Sequence, residues 1–122
     1  VLILRGNGGR ELLADTLRER GAQVDAVACY ERRAPADAST LQALWHDGRL
    51  DAIIISSSEG LRNLVRLLDE EALASLRRTP VFVPHQRIAE CARTLGLQRV
   101  FQSAPTDAGI MAAVSAHDWL RA

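Results

Sequence analysis

Apolar and polar positions along the chain follow two alternating periods. Short, largely apolar runs stand at residues 1–4, 24–30, 51–55, 80–83 and 99–101, most bounded by Gly, Pro, Ser or charged residues. Such runs predict strands buried on both faces, as in a parallel sheet. Val1 to Leu4 is read this way, as is Asp51-Ala52-Ile53-Ile54-Ile55, the clearest buried strand of the chain. Between the runs the spacing becomes helical. Leu12, Leu13, Ala14 and Leu17 form one stripe over residues 10–20, stopped by Gly21. Leu41, Leu44 and Trp45 face inward from a helix over 37–47, ended by Gly48. Leu61, Leu64, Val65, Leu67 and Leu68 mark the next helix, and 72–76 a further helical turn. Helices over 87–95, stopped at Gly96, and over 108–120 complete the series. Five strands alternating with helices predict an α/β fold, a five-stranded parallel sheet with helices on both faces. Its simplest order is flavodoxin-like, 2-1-3-4-5. The chain starts directly on a strand, and its first residue is Val, not Met.

Composition narrows the class without naming a function. The chain has 122 residues, 48% hydrophobic and 25% charged, which suits one soluble domain with a real core. Aromatics are 4%, so aliphatic side chains must build that core. Formal net charge is zero, which argues against a nucleic-acid partner held by bulk positive field. Every basic side chain other than histidine is Arg. A GC-rich genome explains this as readily as a need for carboxylate-binding forks does. Cys29 and Cys91 have no metal or redox spacing and sit in apolar segments, so buried free thiols in a reducing, cytoplasmic compartment are expected. No run has membrane-spanning length and no signal peptide is visible.

In open parallel sheets, ligands bind beyond the carboxyl ends of the strands. Five turns are therefore candidates: residues 5–10, 30–33, 56–60, 84–88 and 103–107. Gly6-Asn7-Gly8-Gly9-Arg10 lacks the dinucleotide fingerprint, since Glu11 stands where a Gly is needed, and lacks the Lys of a P-loop. It is either a tight strand-to-helix turn or an anion cradle with Arg5 and Arg10 as extra donors. Ser56-Ser57-Ser58 has no nucleophile elbow around it. Ser57 or Ser58 can cap the following helix, and the same N–H groups can receive an anion. Tyr30, the only tyrosine, closes the second strand, as a packed ring with a wet hydroxyl or as a proton donor. His46, His85 and His117 share no ligand spacing, so no metal is expected. A phospho-receiver would need an acidic cluster and a Lys, and a flavodoxin a hydroxyl-rich first loop and flanking aromatics; these are missing.

Leu4-Arg5-Gly6-Asn7-Gly8-Gly9-Arg10-Glu11-Leu12-Leu13, with Leu17, Gly21, Val24 and Tyr30-Glu31-Arg32, resembles the second half of uroporphyrinogen-III synthase. So do the strand 51–55 with its three serines, Ile88-Ala89-Glu90, Leu95-Gly96-Leu97 and Ser103-Ala104-Pro105-Thr106. The similarity extends over essentially the whole chain. It implies a cofactor-free lyase that cyclises hydroxymethylbilane to uroporphyrinogen III, losing water and inverting the last pyrrole ring. It also implies a cleft between two α/β domains, where helix starts hold the substrate's carboxylates. Tyr30 matches the family tyrosine that assists hydroxyl departure. Arg5, Gly6, Gly8, Gly9, Arg10, Ser56, Ser57, Ser58, Gln86, Arg87, Ser103 and Thr106 fall on the substrate-holding turns.

One turn departs from the family pattern. Many members carry Gly-Pro-Thr-Thr-Ala-like residues where this chain has His85-Gln86-Arg87-Ile88-Ala89, so a threonine hydroxyl is replaced by Ile88, and Gln86 or Arg87 is the candidate substitute. The chain has about half the family length. The resemblance assigns residues 1–33 and 36–122 to different domains of the whole enzyme, with the crossover at Arg33-Ala34-Pro35. The isolated chain is expected to form a single α/β unit and to be inactive, and segment exchange into a homodimer is a live outcome. A non-catalytic anion-binding or regulatory module on the same fold is the alternative function.

Overall fold

The computed structural model describes residues 1–8 and 11–120. They form an α/β chain in the order β1 (Leu2–Gly6), α1 (Leu12–Glu19), β2 (Asp25–Tyr30), α2 (Ser39–His46), β3 (Ile53–Ile54), α3 (Ser58–Leu67), α4 (Glu70–Arg78), β4 (Val81–Val83), α5 (Gln86–Thr94), β5 (Val100–Gln102) and α6 (Asp107–Ala116). The chain divides into two compact units, Val1–Ala34 and Pro35–Ala122.

The strands are parallel, but they do not make one five-stranded sheet. They form a two-stranded sheet, β1-β2, and a three-stranded sheet, β3-β4-β5. The neighbours 2-1 and 3-4-5 are those of the flavodoxin-like order, and the pairing of β1 with β3 is not made. Glu31, Arg32, Arg33, Ala34 and Pro35, between β2 and α2, are all exposed, and the two units divide within this stretch.

The core lies in the second unit. β4 is its centre, hydrogen-bonded to β3 through Ile53↔Val81 and Ile54↔Phe82, and to β5 through Val81↔Val100, Phe82↔Phe101 and Val83↔Gln102. Alternation sends Val81 and Val83 to one face, where they join Ile55, Leu61, Ile88, Ala89 and Ala92. Phe82 goes to the other, stacked on Phe101 with ring centroids 5.4 Å apart. His117 and Trp119 close over those rings, at 4.7 Å from Phe101 to His117 and 4.5 Å from His117 to Trp119. The aromatic cover explains why the last helix stops at Ala116 rather than continuing to residue 120: His117 turns extended, with ψ 137°. The 72–76 turn proves to be a full helix, α4, because Asp69 caps it by accepting from the Ala72 N–H at 2.8 Å. Trp45 Nε1 donates to Thr79 Oγ1 at 3.0 Å, and the Thr79 hydroxyl donates to the Ser75 carbonyl at 2.7 Å. That chain satisfies a buried hydroxyl and ties α2 to the end of α4.

Three burial expectations are corrected. The first run is not a fully buried strand: Leu2 is 63% and Leu4 67% exposed, because β1 pairs only with β2 and one face of the pair is left uncovered. In β3, only the flanking Ile55 is buried, while Ile54 is 56% exposed. β3 pairs on one side alone, so the best-buried strand is β4. Cys29 is exposed and Cys91 only partly buried, though both are free thiols. No described helix is long and apolar enough to cross a membrane.

Leu76 is fully buried in this core. Leu76→Ala should destabilise the second unit by about 2–5 kcal/mol, the cost of lost burial plus a cavity. Urea denaturation followed by Trp fluorescence checks this, as a lower midpoint with an unchanged slope.

Candidate functional site

Each unit presents its own group of the sequence-derived candidates. In the first unit, β1 ends in Gly6 and β2 in Tyr30, and the two residues face each other. The register slips there: Arg5 pairs with Ala28, then Gly6 with Tyr30, leaving Cys29 as a bulge. Tyr30's ring lies directly on the Gly6 backbone. A Cβ at Gly6 would stand 2.4 Å from Cε2 and 2.8 Å from Cζ, so a side chain there would displace the ring. Tyr30 is 52% exposed. Arg32 reaches back over it, its guanidinium carbon 5.9 Å from the ring centroid and Nη2 3.5 Å from the hydroxyl.

Arg5 is engaged within the turn. It ion-pairs with Glu11, and it donates to the carbonyls of Gly8 and, at 3.3 Å, Gly6. Gly8 takes φ +77°, which a side chain would resist. Arg5, Gly6, Gly8, Tyr30 and Arg32 line one cavity of about 200 Å³, with Ile3, Leu13, Ala14 and Ala26 as its apolar floor. Gly9 and Arg10, the other candidates of this turn, lie outside the described residues.

In the second unit, three helices start just past the carboxyl ends of three adjacent strands. α3 follows β3, α5 follows β4, and α6 follows β5. Parallel pairing puts the three starts along one edge of the sheet. Ser57 is the N-cap of α3, its hydroxyl accepting from the Gly60 N–H at 2.9 Å. Thr106 caps α6 by accepting from the Gly109 N–H at 3.0 Å. His85 at the start of α5 makes no side-chain cap. Gln86 and Arg87 are exposed there, with Gln86 Nε2 donating to Glu90 Oε1 at 3.0 Å. Uncapped N–H groups at a helix start carry the positive end of the dipole and favour an anion.

Not every candidate faces the edge. Ser56 is exposed, whereas the Ser58 hydroxyl is shielded and has no hydrogen-bond partner among the described residues. Ser103 is buried, its N–H donating to the Val83 carbonyl at 2.9 Å and its hydroxyl to the Ala104 carbonyl at 2.8 Å. Ile88, 4% exposed, packs into the core. Among the described residues, no group of three or more His, Cys, Asp or Glu gathers where a metal could be held.

Asn7 is the residue that sequence reasoning missed. Its N–H donates to the Tyr30 carbonyl at 2.9 Å, and its Oδ1 accepts from the Arg32 N–H at 2.6 Å. In the sequence, Asn7-Gly8 signals only a turn. A contact spanning 25 residues leaves no local mark.

A family model described as uroporphyrinogen-III synthase HemD matches residues 1–112. Curated proteins named uroporphyrinogen-III synthase are similar. The one from Salmonella typhimurium is 39% identical over 112 residues, 88% of this chain and 46% of its own length. The one from Escherichia coli is 38% identical over the same shares. One from Proteus mirabilis is 75% identical over 32 residues, 26% of this chain and 16% of its own. The chain thus spans about half the length of the first two relatives.

The caps can be tested as local structure. Thr106→Ala should cost about 1 kcal/mol, the usual loss when a hydroxyl cap is removed. The readout is the chemical-denaturation midpoint, together with faster amide exchange at Gly109.

Proposed function

The chain belongs to the uroporphyrinogen-III synthase family, and on that footing we propose that it supplies the C-terminal half of an enzyme that cyclises hydroxymethylbilane to uroporphyrinogen III. The observation that carries this reading is the match over residues 1–112. The helix starts of the second unit support it chemically. Hydroxymethylbilane carries many carboxylates, and the helix starts after β3, β4 and β5 suit them. At the start of α5, where Ile88 has replaced a hydroxyl with core packing, the proposed carboxylate contact passes to the uncapped N–H groups and Arg87.

Tyr30 is the proposed proton donor. Its hydroxyl assists departure of the substrate's hydroxyl as water, leaving a delocalised cation on the chain's end. The substituted carbon of the last pyrrole attacks that cation to form a spiro intermediate. Fragmentation and recombination then close the macrocycle with the ring inverted. The protein's work in this scheme is positioning and electrostatics. A half-exposed phenol with an Arg guanidinium beside it suits a proton donor that must meet an anionic substrate.

The two units are proposed to belong to different domains of the whole enzyme, Val1–Ala34 to one and Pro35 onward to the other. The uncovered face of β1-β2, with Leu2, Leu4 and Val27 exposed, supports this. A parallel pair of strands is not stable as an isolated layer. The setting is proposed to be cytoplasmic, which two free thiols fit.

Turnover of hydroxymethylbilane by the full-length gene product tests the activity directly. The 122-residue chain alone should show none, and measurable turnover by it would refute its role as half of a site. In the full-length enzyme, Tyr30→Phe should lower kcat by roughly 10²-fold or more. Arg87→Ala should raise the substrate KM several-fold, with the difference shrinking as salt is added. An unchanged KM would remove Arg87 from the substrate contacts.

A further inference from the structure

We infer that Asn7 is a positioning residue for Tyr30, fixing the strand end from which the phenol projects. The inference rests on the reading of Tyr30 as proton donor, and it deepens that reading. Continued without a slip, the β1–β2 register would set Gly6 against Cys29 and Asn7 against Tyr30. The bulge at Cys29 instead sets Tyr30 against Gly6. Bulges re-aim side chains in this way and leave the local ladder short of hydrogen bonds. Asn7 restores two of them. Its N–H takes the Tyr30 carbonyl at 2.9 Å, and its Oδ1 takes the Arg32 N–H at 2.6 Å. The two peptide groups that follow Tyr30, one on each side of Glu31, are therefore held by one residue.

Asparagine is not there for its backbone. No non-glycine residue among those described has positive φ, so a left-handed turn does not call for it. What the position uses is a short side chain with an acceptor two bonds from Cβ. Nearby packing is a poor substitute, because every residue of β2 is exposed. The ring lies against the bare Gly6 backbone, and the Arg32 guanidinium carbon stands 5.9 Å from its centroid. Arg32 in turn is anchored through its own N–H to Asn7. Losing the acceptor frees the ring and its cation together. A displacement of about 1 Å at a proton donor costs on the order of 10²-fold in rate.

The test has two arms. In the full-length enzyme labelled with ¹³Cζ-tyrosine, the Tyr30 phenol resonance is the one lost in Tyr30→Phe. Asn7→Ala should move or broaden that resonance while the Trp45 and Trp119 indole signals stay in place. Asn7→Asp keeps the acceptor and should leave it near its original position. In the full-length enzyme, Asn7→Ala should lower kcat roughly 10- to 100-fold with KM within about threefold, and Asn7→Asp should recover most of the loss. An unmoved resonance in Asn7→Ala overturns the inference. So does a kcat within threefold of the original, or a loss confined to KM, in a background where Tyr30→Phe lowers kcat by roughly 10²-fold or more. If Tyr30→Phe itself keeps full turnover, it is the proton-donor reading that fails, and the two failures are told apart.

Discussion

A parallel strand is best held when it is paired along both edges and covered on both faces, and β4 alone meets all four conditions among the described strands. β3 and β5 take its edges, the aliphatic cluster takes Val81 and Val83, and the Phe101–His117–Trp119 group takes Phe82. Each of these side chains gains about 1.5–3 kcal/mol from burial. A helix cap is worth about 1 kcal/mol. The second unit is therefore held by β4 and its two faces, while the caps at Ser57 and Thr106 set where each helix begins. Because the sheet is rigid at its centre, the helix starts after β3, β4 and β5 are fixed in a row without any of them contributing much to stability. That freedom is what leaves α5 able to start uncapped.

The first unit lives under the same rule and does not satisfy it. β1 and β2 are paired on one edge only, and Leu2 and Leu4 remain about two-thirds exposed. Packing there cannot place a side chain with the accuracy that it gives Phe82. The work passes to polar contacts: Arg5 drawn into its own turn by Glu11 and two carbonyls, and Asn7 holding the Tyr30 carbonyl and the Arg32 N–H. Arg5 so engaged is a strut of the Gly6–Gly8 turn as much as a donor to any ligand.

How much of this the sequence carries depends on the range of each signal. Strand and helix identity is a matter of local periodicity, and the order of elements was legible from apolar runs and glycine stops such as Gly21, Gly48 and Gly96. Caps are local too, and Ser57 and Thr106 stand where hydroxyl-before-helix spacing puts them. The division into two sheets was not legible. Val1-Leu2-Ile3-Leu4 states a demand for cover, and a periodicity says nothing about whether the demand is met. The same blindness hid the exposure of Cys29, which lies on a strand left uncovered along its whole length. Side chains that act across the fold were the least visible: Asn7 toward Arg32, Trp45 toward Thr79, His117 over Phe101.

On the proposed reading, Ile88 redirects a binding surface without disturbing the fold. It lies in the first turn of α5, fully committed to the core, one position beyond the exposed Arg87. Successive helix residues point about 100° apart, so with Ile88 packed in the core that position offers nothing to a ligand, while Arg87 points elsewhere. The proposed carboxylate contact moves to the helix start itself and to Arg87. The two replacements differ in kind. Backbone N–H groups are fixed by the helix and carry only partial charge, whereas an exposed guanidinium carries a full charge on a flexible stem, screened over about 8 Å at physiological ionic strength. A carboxylate held by both would keep its position from the backbone and take its salt dependence from the arginine.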